Sequence, residues 1–334
     1  MKKIVFLVII VSLIIACGSQ RNAAVEKMEK TVATAQQLKK QINIPKSSAV
    51  QLATDVSYLA SDDLKGRDTG SKGIATAATY IQNRFIDLDI APYQGDYMDN
   101  FKARDTDAFN VVGMLPGTDG ELSKEIIVIG AHYDHIGIMQ AVAGDSIANG
   151  ANDNATGTAA VLEIASHLKK LDFNRRTVVF ALFSAEEKGL LGSKHLAKRM
   201  KANGDNVVAV LNFEMIGTPM VDRPYLAYLT GHDGSNMAQV FNGANDAFTV
   251  TGKLDEAAKF GLFKRSDNYP FFTEFKVPAQ TFCTFDFTNF DHYHKVGDEM
   301  SEVNAQHMAQ VVDALMPGIL EVINGERLKL TGNE

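Results

Sequence analysis

Three seven-residue apolar runs constrain this chain more than any other feature: Glu125–Ala131 (EIIVIGA), Thr177–Phe183 (TVVFALF) and Val207–Phe213 (VVAVLNF). Short runs rich in Val and Ile, with no polar alternation, suit strands buried on both faces. The stretches between them are long enough for helices. Ala155–Leu171 carries helical spacing through Ala159, Leu162, Ala165 and Leu168, and Gly189–Met200 also reads as a helix. Tyr225–Thr230 and Val277–Thr284 add strands; Ala49–Ala60, Ile74–Leu88, Ser235–Phe248 and Ala305–Ile323 add helices. Strands alternating with helices predict an α/β domain, a three-layer sandwich whose mixed, largely parallel central sheet is flanked by helices. No linker divides 47–325, and 326–334 reads as a tail.

The first residues follow a different grammar. Lys2 and Lys3 precede a nearly unbroken apolar run, Ile4–Ile15, that closes in Ala16-Cys17-Gly18. The run is too short to span a bilayer comfortably, and its ending resembles the cleavage box of bacterial lipoproteins. The expectation is a signal peptide over 1–16, lipidation of Cys17, and a polar tether over 17–46. The protein is then exported and held at the periplasmic or cell-surface face of a bacterial membrane. Cys283, the second of two cysteines, is left without a disulfide partner and reads as a buried core residue.

A chain of 334 residues, 46% hydrophobic, can bury a substantial core. Its net charge of −7 is spread along the sequence, which leaves no clustered basic footprint for nucleic acid. The nucleophile elbow, phosphate loop, dinucleotide fingerprint and HExxH zinc motif are all missing. What the chain does carry is a set of polar residues where its strands end. His132-Tyr133-Asp134-His135 follows the first run, Ser184-Ala185-Glu186-Glu187 the second, and Glu214 the third. Asp291-His292-Tyr293-His294 follows the last strand region, and Asn149–Asn154 immediately precedes a long helix. Ligands bind beyond the carboxyl ends of strands in such folds. Each cluster alone has an ordinary reading, such as Asp153 capping a helix. Together, carboxylates and imidazoles converging on one rim suit zinc. Adjacent Glu186 and Glu187 point apart, so one can bind metal while the other faces substrate.

The ordered motifs AHYDHIG, NGANDNATGT, FSAEEKGLLGS, LNFEMIG, RSDNYPFF and YHKVGD resemble the di-zinc aminopeptidases, a family that includes glutamate carboxypeptidases and zinc-dependent glutaminyl cyclases. The resemblance runs from about residue 50 to 322. It implies a catalytic domain over 47–325 with two Zn2+ per chain. One ion is held by His132 and Glu214, the other by Glu187 and His294, and Asp153 bridges both. Glu186 is then the general base that takes a proton from metal-bound water to form the attacking hydroxide. Asp134 orients His132 through its other ring nitrogen, and Asp298 does the same near His294. The resemblance also suggests a cis peptide at Asp153-Asn154. The implied activity is removal of amino-terminal residues from peptides with a free amino end.

Two positions depart from the family pattern. Glu214 stands where Asp is usual, which puts occupancy of the His132 site in question, and Asn268 stands where His is frequent. Three other functions stay open: a carboxypeptidase or dipeptidase of the same fold, a glutaminyl cyclase, and a non-catalytic peptide-binding homologue. A carboxypeptidase needs a basic group for the substrate carboxylate, and Arg67, Arg223, Lys264 and Arg265 are candidates. Such cyclases place Trp around the pocket, and this chain has none. Phe260, Phe263, Tyr269, Phe271, Phe272 and Phe287 are candidates for an apolar specificity pocket. The sequence gives no reading of oligomeric state.

Overall fold

The computed structural model describes residues 43–245 and 248–332, and all of its elements lie in the unit Lys46–Glu334. The signal peptide, Cys17 and all but the end of the tether lie outside the described residues. In chain order the strands are β1 (Ala91–Pro92), β2 (Met98–Ala103), β3 (Thr106–Leu115), β4 (Glu125–His132), β5 (Gly137–Val142) and β6 (Asp145–Ala148). They continue with β7 (Thr177–Phe183), β8 (Asn206–Glu214), β9 (Ala227–Leu229), β10 (Thr251–Gly252) and β11 (Ala279–Cys283).

The three apolar runs become neighbouring strands. β4 lies parallel between β7 and β8, and β11 extends the parallel block beyond β8. Outside this block the sheet turns antiparallel: β3 pairs β7 and carries β1 and β2, while β9 pairs β11 and adds a short parallel bridge to β10. The sheet is therefore mixed, with its parallel character concentrated at the centre. Alternate side chains of one strand face opposite layers. Val128, Val179, Ala181 and Val210 pack on one side against Leu196 and Met200 of the helix Leu191–Asn203 and Phe271 of the helix Asn268–Phe275. The helices Lys72–Asp87, Thr156–Leu171, Ala49–Leu59 and Ala305–Asn324 form the other layer.

Some elements differ from the sequence reading. The helix expected over Ser235–Phe248 shrinks to Met237–Gly243, because the Asn242 side chain turns away to bond the backbone of Val250 and Thr251. The β5–β6 hairpin and the helix Asn268–Phe275 were not expected. The hairpin strand β5 is exposed along nearly its whole length, so burial never imposed a clear pattern on it.

Candidate active site

The parallel block delivers its polar residues to one edge. β4 ends on His132, which sits opposite Phe183 at the end of β7, just before Ser184-Ala185-Glu186-Glu187. β8 ends on Glu214, opposite Cys283 at the end of β11. Asp153 comes from the turn Ala151–Ala155 at the head of the helix Thr156–Leu171, and His294 from the loop beyond β11.

Each side chain is held from behind. Asp298 accepts the backbone N–H groups of Asn152 at 2.7 Å and Asp153 at 3.0 Å. Asn154 donates to the Phe213 carbonyl and accepts from Met215 N, which ties the Asp153 turn to the end of β8. The Asp153-Asn154 peptide is cis, as the resemblance suggested. Gly150 enters this turn at φ 61°, and a Cβ there would lie 2.5 Å from the His135 ring. Only glycine meets both demands. The Asp134 carboxylate accepts the N–H groups of Glu186 at 3.1 Å and Glu187 at 3.3 Å.

Two supporting roles therefore differ from the sequence reading. Asp134 was expected to orient His132, but its carboxylate lies 3.8 Å from Nδ1, and its backbone carbonyl makes the contact at 3.2 Å. The carboxylate instead fixes the Glu186-Glu187 backbone. Asp298 was expected beside His294 and instead holds the Asp153 turn. The sequence shows which residues are polar, but not whether main chain or side chain makes a contact.

Arg67 is also reassigned. It is wholly buried, and its guanidinium donates to the carbonyls of Tyr133 (2.7 Å), Asn149 (2.7 Å), Gly150 (2.8 Å) and Leu59. With its donors committed to the backbone, it cannot receive a substrate carboxylate. Burial lowers its pKa to about 10, against the pull of Asp298, Asp134, Asp153 and Glu187, so it stays charged at neutral pH.

The remaining side chains meet at short range. His132 Nε2 lies 3.3 Å from Asp153 Oδ1, and His294 Nε2 lies 3.2 Å from both Asp153 Oδ2 and Glu187 Oε1. Donors about 2.0–2.1 Å from a tetrahedral ion stand roughly 3.3 Å apart, so these separations fit zinc. Asp153 offers one oxygen to each side, the arrangement a bridging carboxylate requires. Glu214 faces the same cleft and accepts a hydrogen bond from Ser266 Oγ. His135 was given no part by the sequence reading. It is wholly buried, and its Nδ1 lies 3.1 Å from Glu187 Oε1 and 3.8 Å from Asp153 Oδ2. The doubled pattern His132–His135 was the available signal.

The electrostatics are those of a carboxylate basin. Burial drives Glu186 well above its usual range, with Asp267, Glu214 and Glu187 adding to the effect and His132 opposing it. Burial also raises Asp267 to about 7. It opposes charge on His294, yet hydrogen bonds with Asp153 and Glu187 lift that imidazole to about 10.

A cleft of about 90 Å³ opens over Asp153, Glu186, Glu187, Glu214 and His294, and Arg265 is also part of its lining. Its apolar wall includes Tyr228, Leu262, Phe285, Phe287 and Tyr293. Of the aromatic residues expected there, only Phe287 lines it. Phe271 is core, while Phe263, Tyr269 and Phe272 pack on one another. Asn268 is buried behind β11, bonded to Ala279 O, Phe263 O and Thr281 Oγ1. Cys283 borders the cleft, but burial raises its thiol to about 12, so it is no thiolate nucleophile.

The chain is 36% identical over 115 residues to leucine aminopeptidase 1 of Emericella nidulans, covering 33% of this chain and 28% of that protein. It thus matches less than a third of the length of that relative. Its fold is similar to that of BSAP, a zinc aminopeptidase from Bacillus subtilis, with TM-score 0.66 and 15% identity over 84% of this chain and 96% of that one. It is also similar to a glutaminyl cyclase of Bacteroides thetaiotaomicron, with TM-score 0.61 and 17% identity over 85% of this chain and 100% of that one. The model of peptidase family M28 matches residues 110–318, a span that includes His132, Asp153, Glu187, Glu214 and His294, and the chain belongs to that family.

Proposed function

We propose that this protein is a zinc-dependent exopeptidase that removes residues from the amino ends of peptides, with two ions held by His132, Asp153, Glu187, Glu214 and His294. The observation that carries this reading is Asp153, whose two oxygens each meet a different imidazole at 3.2–3.3 Å. Two zinc ions in such a site make water acidic near neutral pH and polarise a carbonyl. The chain's own residues do the rest. Glu186, which lines the cleft, takes the proton of the attacking water and passes it to the leaving amine. Asp134 holds Glu186 and Glu187 in register by their backbone. The likeness to leucine aminopeptidase 1 supports the amino-end preference. The apolar wall of Leu262, Phe285 and Phe287 suits an uncharged side chain.

Zinc content measured together with hydrolysis of unblocked, amino-blocked and carboxyl-blocked peptides tests this reading. Two zincs per chain and cleavage only where the amino end is free are expected. Cleavage that requires a free carboxyl end would point instead to a carboxypeptidase using Arg265. Ring closure of amino-terminal glutamine without hydrolysis would point to a cyclase. Glu186→Gln should keep its zinc and its fold while losing about 10²–10⁴-fold in kcat. Export and anchoring through lipidated Cys17 belong to the same proposal, and Cys17→Ser should release the protein from membranes. Among the described residues no helix is long and apolar enough to cross a membrane.

A further inference from the structure

We infer that His135 is a third imidazole ligand of the metal centre, on the ion held by Asp153 and Glu187; this rests on the two-zinc reading above. His135, Asp153 and Glu187 can each place a donor atom within 4.8 Å of the others. His135 Nδ1 is 3.1 Å from Glu187 Oε1, and that same oxygen is 3.2 Å from His294 Nε2. The separations are close to the edge of a zinc tetrahedron, roughly 3.3 Å. The His135 and His294 rings meet edge-on at 67° with centroids 5.7 Å apart.

The ring is held ready for this role. Its backbone N–H bonds to Arg67 O, and Gly150 packs closely against its face. Its Nε2 is buried without a hydrogen-bond partner, so the contacts of Nδ1 with the carboxylate pair are its only polar side-chain contacts among the described residues. With His135 counted, that ion would gain an imidazole beside the Asp153 and Glu187 carboxylates, while His132, Asp153 and Glu214 would remain the donors of the other.

X-ray absorption on zinc-loaded wild-type protein, combined with chelator competition, tests the assignment without relying on activity. Three imidazoles over two ions give about one and a half per zinc, against one if His135 does not bind. His135→Ala should weaken one of the two zincs by at least about a hundredfold and leave the other unchanged. His135→Cys, which can ligate, should restore most of that affinity. His135→Gln, which can still donate a hydrogen bond to Glu187 but is a poor zinc ligand, should not. One imidazole per zinc, or wild-type affinity in the Gln or Ala variant, would overturn the inference and leave the two-zinc reading intact. A wild type holding a single zinc would sink the paired-ion reading, and loss of that zinc in His135→Ala would then decide for His135. If the variants fail to fold, the wild-type spectrum still decides.

Discussion

Arg67 shows how much of this site depends on one side chain that touches no donor atom of the proposed centre. Its guanidinium ties the carbonyls of Tyr133, Asn149 and Gly150 to Leu59, joining the loop after β4 to the turn that presents Asp153. Replacing it with Met keeps the volume but strips four buried carbonyls of their donor. Unpaired buried polar groups each cost about 1–3 kcal/mol. Arg67→Met should therefore lower unfolding free energy by more than about 3 kcal/mol in urea titrations, and an unchanged midpoint would refute this buttressing role. At this scale the sequence was readable where chemistry leaves a mark on residue type. His132, Asp153, Glu186, Glu187, Glu214 and His294 all come to one cleft or its edge. It was unreadable where a residue acts through geometry alone. Asp134 meets His132 through its carbonyl and not its carboxylate, Asp298 holds the Asp153 turn and not His294, and Arg67, one of four candidates for a substrate carboxylate, spends its charge on the backbone.

Strands were easier to read than the connections between them. Strands buried on both faces leave an apolar run in the sequence, and the helix Thr156–Leu171 leaves a clear spacing. The exposed hairpin β5–β6 and the shortened helix Met237–Gly243 answer to tertiary contacts that no local pattern encodes. The last helix, Ala305–Asn324, offers a test of element-level energetics. Asn304 caps it by accepting His307 N at 2.9 Å, and Asn304→Ala should cost about 1 kcal/mol. Its first turn also buries His307, whose pKa burial lowers to about 4. An unfolded His titrates near 6.5, so between those values the unfolded chain binds a proton that the folded chain refuses. This contribution to stability is fully present above about pH 6.5 and falls away toward pH 4, by on the order of 3 kcal/mol at the acid end. His307→Gln should flatten that part of the pH–stability curve relative to wild type. Parallel curves for the two proteins would show that His307 titrates normally in the fold.

At the scale of the whole molecule, a metal that binds only the folded chain stabilises it by mass action. An ion at a thousand times its Kd adds about 4 kcal/mol. Chelation should therefore lower Tm by several degrees in wild type, with recovery on adding zinc. In Asp153→Ala, where the shared oxygens are gone, chelator should change Tm little. An identical shift in both proteins would show that the stabilising metal lies elsewhere.

The parallel block at the centre of the sheet has one more consequence, for the order in which the molecule forms. β4, β7, β8 and β11 are distant in sequence, and parallel pairing requires closing long loops before contacts repay the entropy lost, which makes such cores slow to assemble. The proposed donor residues sit at the ends of these strands or on loops pinned to them, so no fragment of the chain carries the set. Zinc cannot guide early collapse here. Its capture marks the end of folding, and during refolding zinc uptake should lag behind the recovery of helix and sheet signal.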